Sequence, residues 1–91
     1  MNISALKPLA KTIHFDSDSM TVDLVDGRIL TVPLAYFPRL LNASPEQRNH
    51  YVISGGGVGL HWDELDEDIS VEYLMMGYID HSNPGNFSKA A

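Results

Sequence analysis

The sequence predicts an α+β domain with element order β-β-β-α-β-β-α: a three-stranded meander, a short helix, a β-hairpin and a C-terminal helix packed on the sheet. Three observations lead there. Apolar and polar residues alternate on both sides of Asp26-Gly27. Two proline-containing helix starts follow one another, at Pro38 and at Ser44-Pro45. A glycine-rich corner, "GGGVG" at 55–59, divides two β-prone runs and precedes an apolar stripe at helical spacing.

The elements follow in chain order. "KTIHF" (11–15) puts Ile13 and Phe15 on one face, and the polar loop "DSDS" (16–19) joins it to "MTVDLV" (20–25), where Met20, Val22 and Leu24 share a face. "RILTV" (28–32) answers with Leu30 and Val32 across Asp26-Gly27, a strong hairpin signal. A two-residue loop would set Leu24 against Ile29 and Val22 against Thr31. A three-residue loop with Gly27 left-handed at a bulge sets Val22 against Leu30 and Met20 against Val32. The second matches apolar to apolar and is the predicted register.

Pro33 ends that strand. "LAYFPRLLNA" (34–43) spaces Leu34, Phe37, Leu40 and Leu41 for one helical face, and Pro38 confines the helix start to Tyr36 or Phe37. "SPEQR" (44–48) reads as one helical turn, with Ser44 as N-cap, Pro45 at the first helical position, and Glu46 and Gln47 behind it. "HYVIS" (50–54) and "VGLHW" (58–62) are the expected second pair of strands. "DELDED" (63–68) reads as a loop or a single helical turn. Ser70 caps "SVEYLMMGYI", whose Val71, Leu74, Met75 and Tyr78 form the docking face, with Gly77 weakening the helix end. The expected domain is 1–79, and 80–91, with Asn-Pro-Gly and little to bury, is expected to be a flexible tail. No internal repeat is visible.

At 91 residues the chain has room for one small core and little enclosed cleft. It has no cysteine, which excludes disulfides and thiolate metal sites, and no apolar run of membrane-spanning length. A cytoplasmic protein is the expectation. The formal charge is −6, and six of the twelve acids (Asp63, Glu64, Asp66, Glu67, Asp68 and Glu72) lie between 63 and 72. Such a segment repels phosphate backbones, so direct nucleic-acid binding is not expected, and it attracts basic proteins. The same charge also serves simply to keep a small protein dispersed.

No chemistry-bearing motif is complete. A dinucleotide fingerprint starting at Gly55 would need glycine where Leu60 stands, and a P-loop needs the missing Gly-Lys-Ser/Thr. Ser54 before the glycines does not make a nucleophile elbow. The histidines at 14, 50, 61 and 81 are scattered over separate elements, unlike a structural zinc site. His61 with Asp63 and Glu64 is the one candidate for a weak metal contact or an acid–base group, yet strand alternation turns His61 and Trp62 to opposite faces. No catalytic residue and no cofactor is expected. Tyr73 and Met76 lie off the apolar stripe of the last helix and, with Ile79, could form a partner surface. The site residues are therefore Asp63, Glu64, Asp66, Glu67, Asp68, Glu72, Tyr73 and Met76, read as a partner-binding surface.

"VPLAYFPRLLNASPEQR" (32–48) and "ISGGGVGLHWDELDEDISVEYL" (53–74), with the upstream Asp-Gly hairpin, resemble the small bacterial and phage family catalogued as DUF2442. That family often has Trp where Tyr36 stands, Pro where Asp63 stands and Gly where Tyr73 stands. The resemblance implies the same β-β-β-α-β-β-α domain and no particular activity. Similar members often lie beside a second small gene, in pairs resembling toxin–antitoxin or regulatory modules. A helix-turn-helix domain follows in some relatives and is not expected here. The leading expectation is thus a non-enzymatic interaction domain, antitoxin-like or regulatory, whose partner is a small basic protein from an adjacent gene. The alternatives are an acidic phage-type inhibitor that mimics nucleic acid, and a weak metal-binding protein or enzyme using His61 and nearby carboxylates. A homo-oligomer is also compatible with the sequence.

Overall fold

Asp26-Gly27 turns the chain as the apolar matching requires. In the computed structural model, which describes residues 7–77, strands β2 (Ser19–Leu24) and β3 (Ile29–Pro33) pair Val22 with Leu30 and Met20 with Val32. Gly27 sits at φ +95° and its N–H donates to the Leu24 carbonyl, while Leu24 N–H donates to the Arg28 carbonyl. This is the three-residue loop with a glycine bulge. Strand β1 (Ala10–Phe15) adds antiparallel to β2, and a register shift between Ala10 and Thr12 lets both Ala10 and Ile13 face the core. The joining loop is held by the Asp16 carboxylate, which accepts from the N–H groups of Asp18 (2.9 Å) and Ser19 (2.7 Å).

After Pro33 a single 3₁₀ turn (34–36) leads into helix α1 (Pro38–Leu41), with Pro38 at its first position. Leu34, Phe37 and Leu40 are buried as the spacing requires, but Leu41 is exposed, because so short a helix carries only one turn of stripe inward. Helix α2 (Pro45–Asn49) begins with a full capping box: Gln47 N–H donates to Ser44 Oγ, and Ser44 N–H to Gln47 Oε1. Arg48 in α2 donates through Nε to the Leu40 carbonyl (2.7 Å) and through Nη2 to the Leu41 carbonyl (2.8 Å), satisfying the end of α1.

A second antiparallel sheet follows, in order β4 (Val52–Ser54), β5 (Gly59–Trp62) and β6 (Glu67–Ser70). Strand β4 is shorter than "HYVIS" suggests, since His50 serves as the C-cap of α2. Gly55, Gly56 and Gly57 all have positive φ, so the corner between β4 and β5 is a backbone turn, as expected. The expectation of a loop or helical turn over 63–68 is corrected: only 63–66 turn, and Glu67 onward is a strand. Helix α3 (Val71–Met75) starts at Ser70, whose Oγ accepts from Tyr73 N–H, and buries Val71 and Leu74. Tyr78, Ile79 and the expected tail lie outside the described residues.

One core joins the two sheets. Met20, Val22 and Leu24 from the first meet Leu60, Trp62 and Ile69 from the second, with Leu34, Leu40 and Val71 between. Phe15 meets Trp62 edge to face, at 6.5 Å and 68°. Each large apolar side chain in this core contributes about 1.5–3 kcal/mol by leaving water. Trp62 also donates its indole N–H to the Arg48 carbonyl (2.8 Å), so its one polar atom is satisfied at depth. Among the described residues, no helix is long and apolar enough to cross a membrane.

Candidate functional site

The acidic segment is built on the register of β5 and β6. These pair Trp62 with Glu67 and His61 with Asp68. Trp62 faces the core, so Glu67 does too; His61 and Asp68 face out. His61 holds Asp68 through Nδ1 (2.6 Å) and Asp63 through Nε2 (3.0 Å). His50, arriving from the end of α2, holds Glu64 through Nδ1 (2.7 Å). Asp63 and Glu64 are therefore bound by different histidines, and the grouping of His61 with both of them is corrected to His61 with Asp63 and Asp68. The carboxylates on His61 occupy opposite ring nitrogens, so they do not converge on a common point where an ion could sit. Among the described residues no group of three or more His, Asp or Glu could hold a metal ion.

These contacts set the protonation of the histidines. The hydrogen bond that His61 donates to Asp63, followed by that to Asp68, raises the pKa of His61 above its ordinary 6.5. The bond that His50 donates to Glu64 raises that of His50. Both changes come from acceptors favouring the charged imidazolium. On the outer face of the first sheet Asp23 accepts from Thr12 (2.7 Å) and from His14 (2.5 Å), and those bonds lower its own pKa.

Glu67 needs a correction of its role. It is 3% exposed, and Arg39 of α1 reaches it (Nη1 to Oε1, 3.3 Å) while also donating to the Asp66 carbonyl (2.6 Å). Arg39 thus ties the helix after the first sheet to the turn inside the second. Glu67 belongs to this tie and is unavailable to a partner surface. Asp66, at φ +51°, is the one described non-glycine residue with positive φ, a conformation that Asp tolerates. Asp63, Glu64, Asp66, Asp68 and Glu72 remain on the surface. Tyr73 and Met76 are 56% and 59% exposed on α3 and at its C-cap.

Sequence reasoning gave no role to His50 or Arg39. The period-two pattern Glu67-Ile69 against Asp68-Ser70 was available as a signal for β6, but the acids masked it. His50 and Arg39 reach the site only through tertiary folding, which no local spacing reports.

The two-sheet arrangement and the matching run of residues decide the relationship. A family model described as "Protein of unknown function (DUF2442)" matches residues 10–80. The chain belongs to the DUF2442 family. A protein of unknown function from Rhodospirillum rubrum, known from a crystal structure, is 34% identical with a TM-score of 0.74, over 85% of this chain and 95% of that one. An uncharacterized protein from Chromobacterium violaceum, known from a solution structure, has a TM-score of 0.69 at 24% identity, over 81% of this chain and 70% of that one, and shares the fold. No curated protein matches this chain.

Proposed function

We infer that this DUF2442 chain is a non-enzymatic interaction domain that receives a small basic protein on the β5–β6 turn and α3. The observation carrying this reading is that Asp63, Glu64, Asp66, Asp68 and Glu72 all reach the surface in one short turn, strand and helix start, with Tyr73 and Met76 exposed beside them. Carboxylates steer a basic partner, and a neighbouring aromatic and methionine supply contact area that can adapt to it. The histidines with displaced pKa values here are surface groups moved by hydrogen bonds. Acid–base catalysis usually draws on groups displaced by burial in a cleft, which favours the interaction reading. The gene pairing that the family resemblance implies makes the product of an adjacent gene the first partner to try, in an antitoxin-like or regulatory pair.

The test is capture of that product at about 0.1 M and about 1 M salt, where the screening length falls from about 10 Å to about 3 Å. Capture is expected to weaken sharply at high salt and with Asp66→Asn, Asp68→Asn and Glu72→Gln combined. Capture indifferent to both would remove the electrostatic reading, and displacement by duplex DNA would favour a nucleic-acid mimic in its place.

A further inference from the structure

His61 stands on β5 between two carboxylates, and each takes a different ring nitrogen. Asp68, its cross-strand partner on β6, lies 2.6 Å from Nδ1. Asp63, at the start of the β5–β6 turn, lies 3.0 Å from Nε2. An ionised carboxylate only accepts, so both contacts are hydrogen bonds only when both nitrogens carry a proton. That holds in the imidazolium alone. A neutral imidazole has one N–H, and its other nitrogen would set a lone pair against a carboxylate. Loss of the proton therefore breaks one of the two bonds, whatever the strength of either.

The surroundings decide which bond is kept. Asp68 is placed opposite His61 by the β5–β6 ladder, and its bond is the shorter. The Asp63 side chain is 96% exposed. Among the described residues the turn 63–66 closes on itself by one long backbone bond, from Asp66 N–H to the Asp63 carbonyl at 3.3 Å. The far end of the turn is fixed by a group that does not titrate, since Arg39 donates to the Asp66 carbonyl (2.6 Å). Glu64 meets His50 through Nδ1, a single bond that a neutral N–H can keep. Asp63 is thus the part of the turn whose tie needs the second proton.

We propose that His61 is a proton-dependent staple: charged, it ties β6 to the start of the turn, and neutral, it stays on Asp68 through Nδ1–H and releases Asp63. Asp63 and Asp68 are the charged groups held against the ring, and its cross-strand neighbour on β4 is Val52, which does not titrate. Both acids favour the charged ring, so the staple is closed below 6.5 and opens as pH climbs through the elevated value. The device follows from the bonding of one ring and does not rest on the partner reading.

Nitrogen-15 NMR of the full chain across the His61 titration tests it. The neutral ring is expected to carry its proton on Nδ1. The Asp66 amide, corrected for the intrinsic pH dependence of exchange, is expected to exchange about two- to fivefold faster once the ring is neutral, the scale of one exposed ion pair. The Val71 amide, bonded to the Val58 carbonyl, is expected to stay protected and reports that the sheet is intact. His61→Gln is expected to abolish the step, and Asp63→Ala to give the faster Asp66 exchange at every pH. A neutral ring protonated on Nε2 would overturn the proposal. So would Asp66 exchange with no step at the His61 midpoint, or a step that persists in His61→Gln.

Discussion

Gly57→Ala tests why the corner is made of glycine. Gly57 has φ +116°, a region that an L side chain occupies at a cost of about 1–3 kcal/mol. A Cβ there would lie 2.9 Å from the Ala10 carbonyl oxygen, 2.9 Å from Leu9 Cβ and 3.0 Å from the Ala10 nitrogen. Two of these atoms are backbone of β1, which is paired with β2 and cannot swing aside. Overpacking against fixed atoms adds about 1–3 kcal/mol. Together the substitution is expected to destabilise the domain by about 2–6 kcal/mol, a large part of the roughly 5–10 kcal/mol expected for a small domain. Gly56→Ala is the control: its φ is +71° and an added Cβ would meet nothing within 4 Å, so about 1–2 kcal/mol is expected. Urea unfolding followed by circular dichroism would compare the two at equal slope. A Gly57→Ala protein as stable as Gly56→Ala would refute the argument that β1 packs against the corner.

Arg39→Met removes donors from the Asp66 carbonyl and from buried Glu67, and is expected to lose about 1–3 kcal/mol in the same urea assay. Trp62→Phe deletes the indole bond to Arg48 and leaves a gap beside Phe15, for an expected loss of about 2–4 kcal/mol by thermal unfolding. Tyr73→Ser and Met76→Ser, at exposed positions, are expected to stay within about 0.5 kcal/mol of the parent while reducing partner capture. Stability also depends on pH in two opposed windows. His50 and His61 have raised folded pKa values, so their contribution is full below 6.5 and is lost as pH rises through the raised values. Asp16, Asp23 and Asp26 have lowered folded pKa values, so theirs is full above 3.8 and is lost as pH falls through the lowered values. Urea midpoints are expected to be highest between these windows, and His61→Gln should flatten the alkaline side.

Local rules made the first half of the chain legible. Alternation about Asp26-Gly27 specified the register of β2 and β3 because a slip would turn Met20 and Val22 to solvent. The Ser44-Pro45 start specified α2 because its cap is a bond between near neighbours. In the second half, the segment 63–70 resisted for the opposite reason, while the strand pair about the glycine corner and the Ser70-capped helix were legible. The strand Glu67–Ser70 carries a carboxylate inward, a choice that Arg39, 28 positions earlier, makes tolerable. Charge density suggested solvent at every acid between 63 and 72, and one of them is buried. The surface acids were legible as a cluster, but their histidine partners were not, because His50 and His61 reach them through a capped helix end and a strand register.

Those histidines give the acidic surface a pH dependence opposite in sign to its local stability. When His50 and His61 are protonated, their positive charges sit directly on Glu64, Asp63 and Asp68 and reduce the field that a basic partner meets. Raising the pH through their elevated pKa values removes those charges and leaves the carboxylates uncompensated. The same titration that loosens the hold of His61 on the turn therefore strengthens attraction at the surface. Arg39, the cation of α1 that faces the same turn, is engaged with the Asp66 carbonyl and Glu67. Affinity for a basic partner is expected to rise as pH climbs from 6.5 through the elevated histidine values, by no more than about tenfold because the groups are exposed. Titration calorimetry in low salt would measure it, and the double variant His50→Gln, His61→Gln should bind with a flat pH profile at the high-pH affinity. An affinity that falls over the same range in the parent and not in the variant would show that the partner recognises the imidazolium groups themselves, and the acidic face would lose its assigned role.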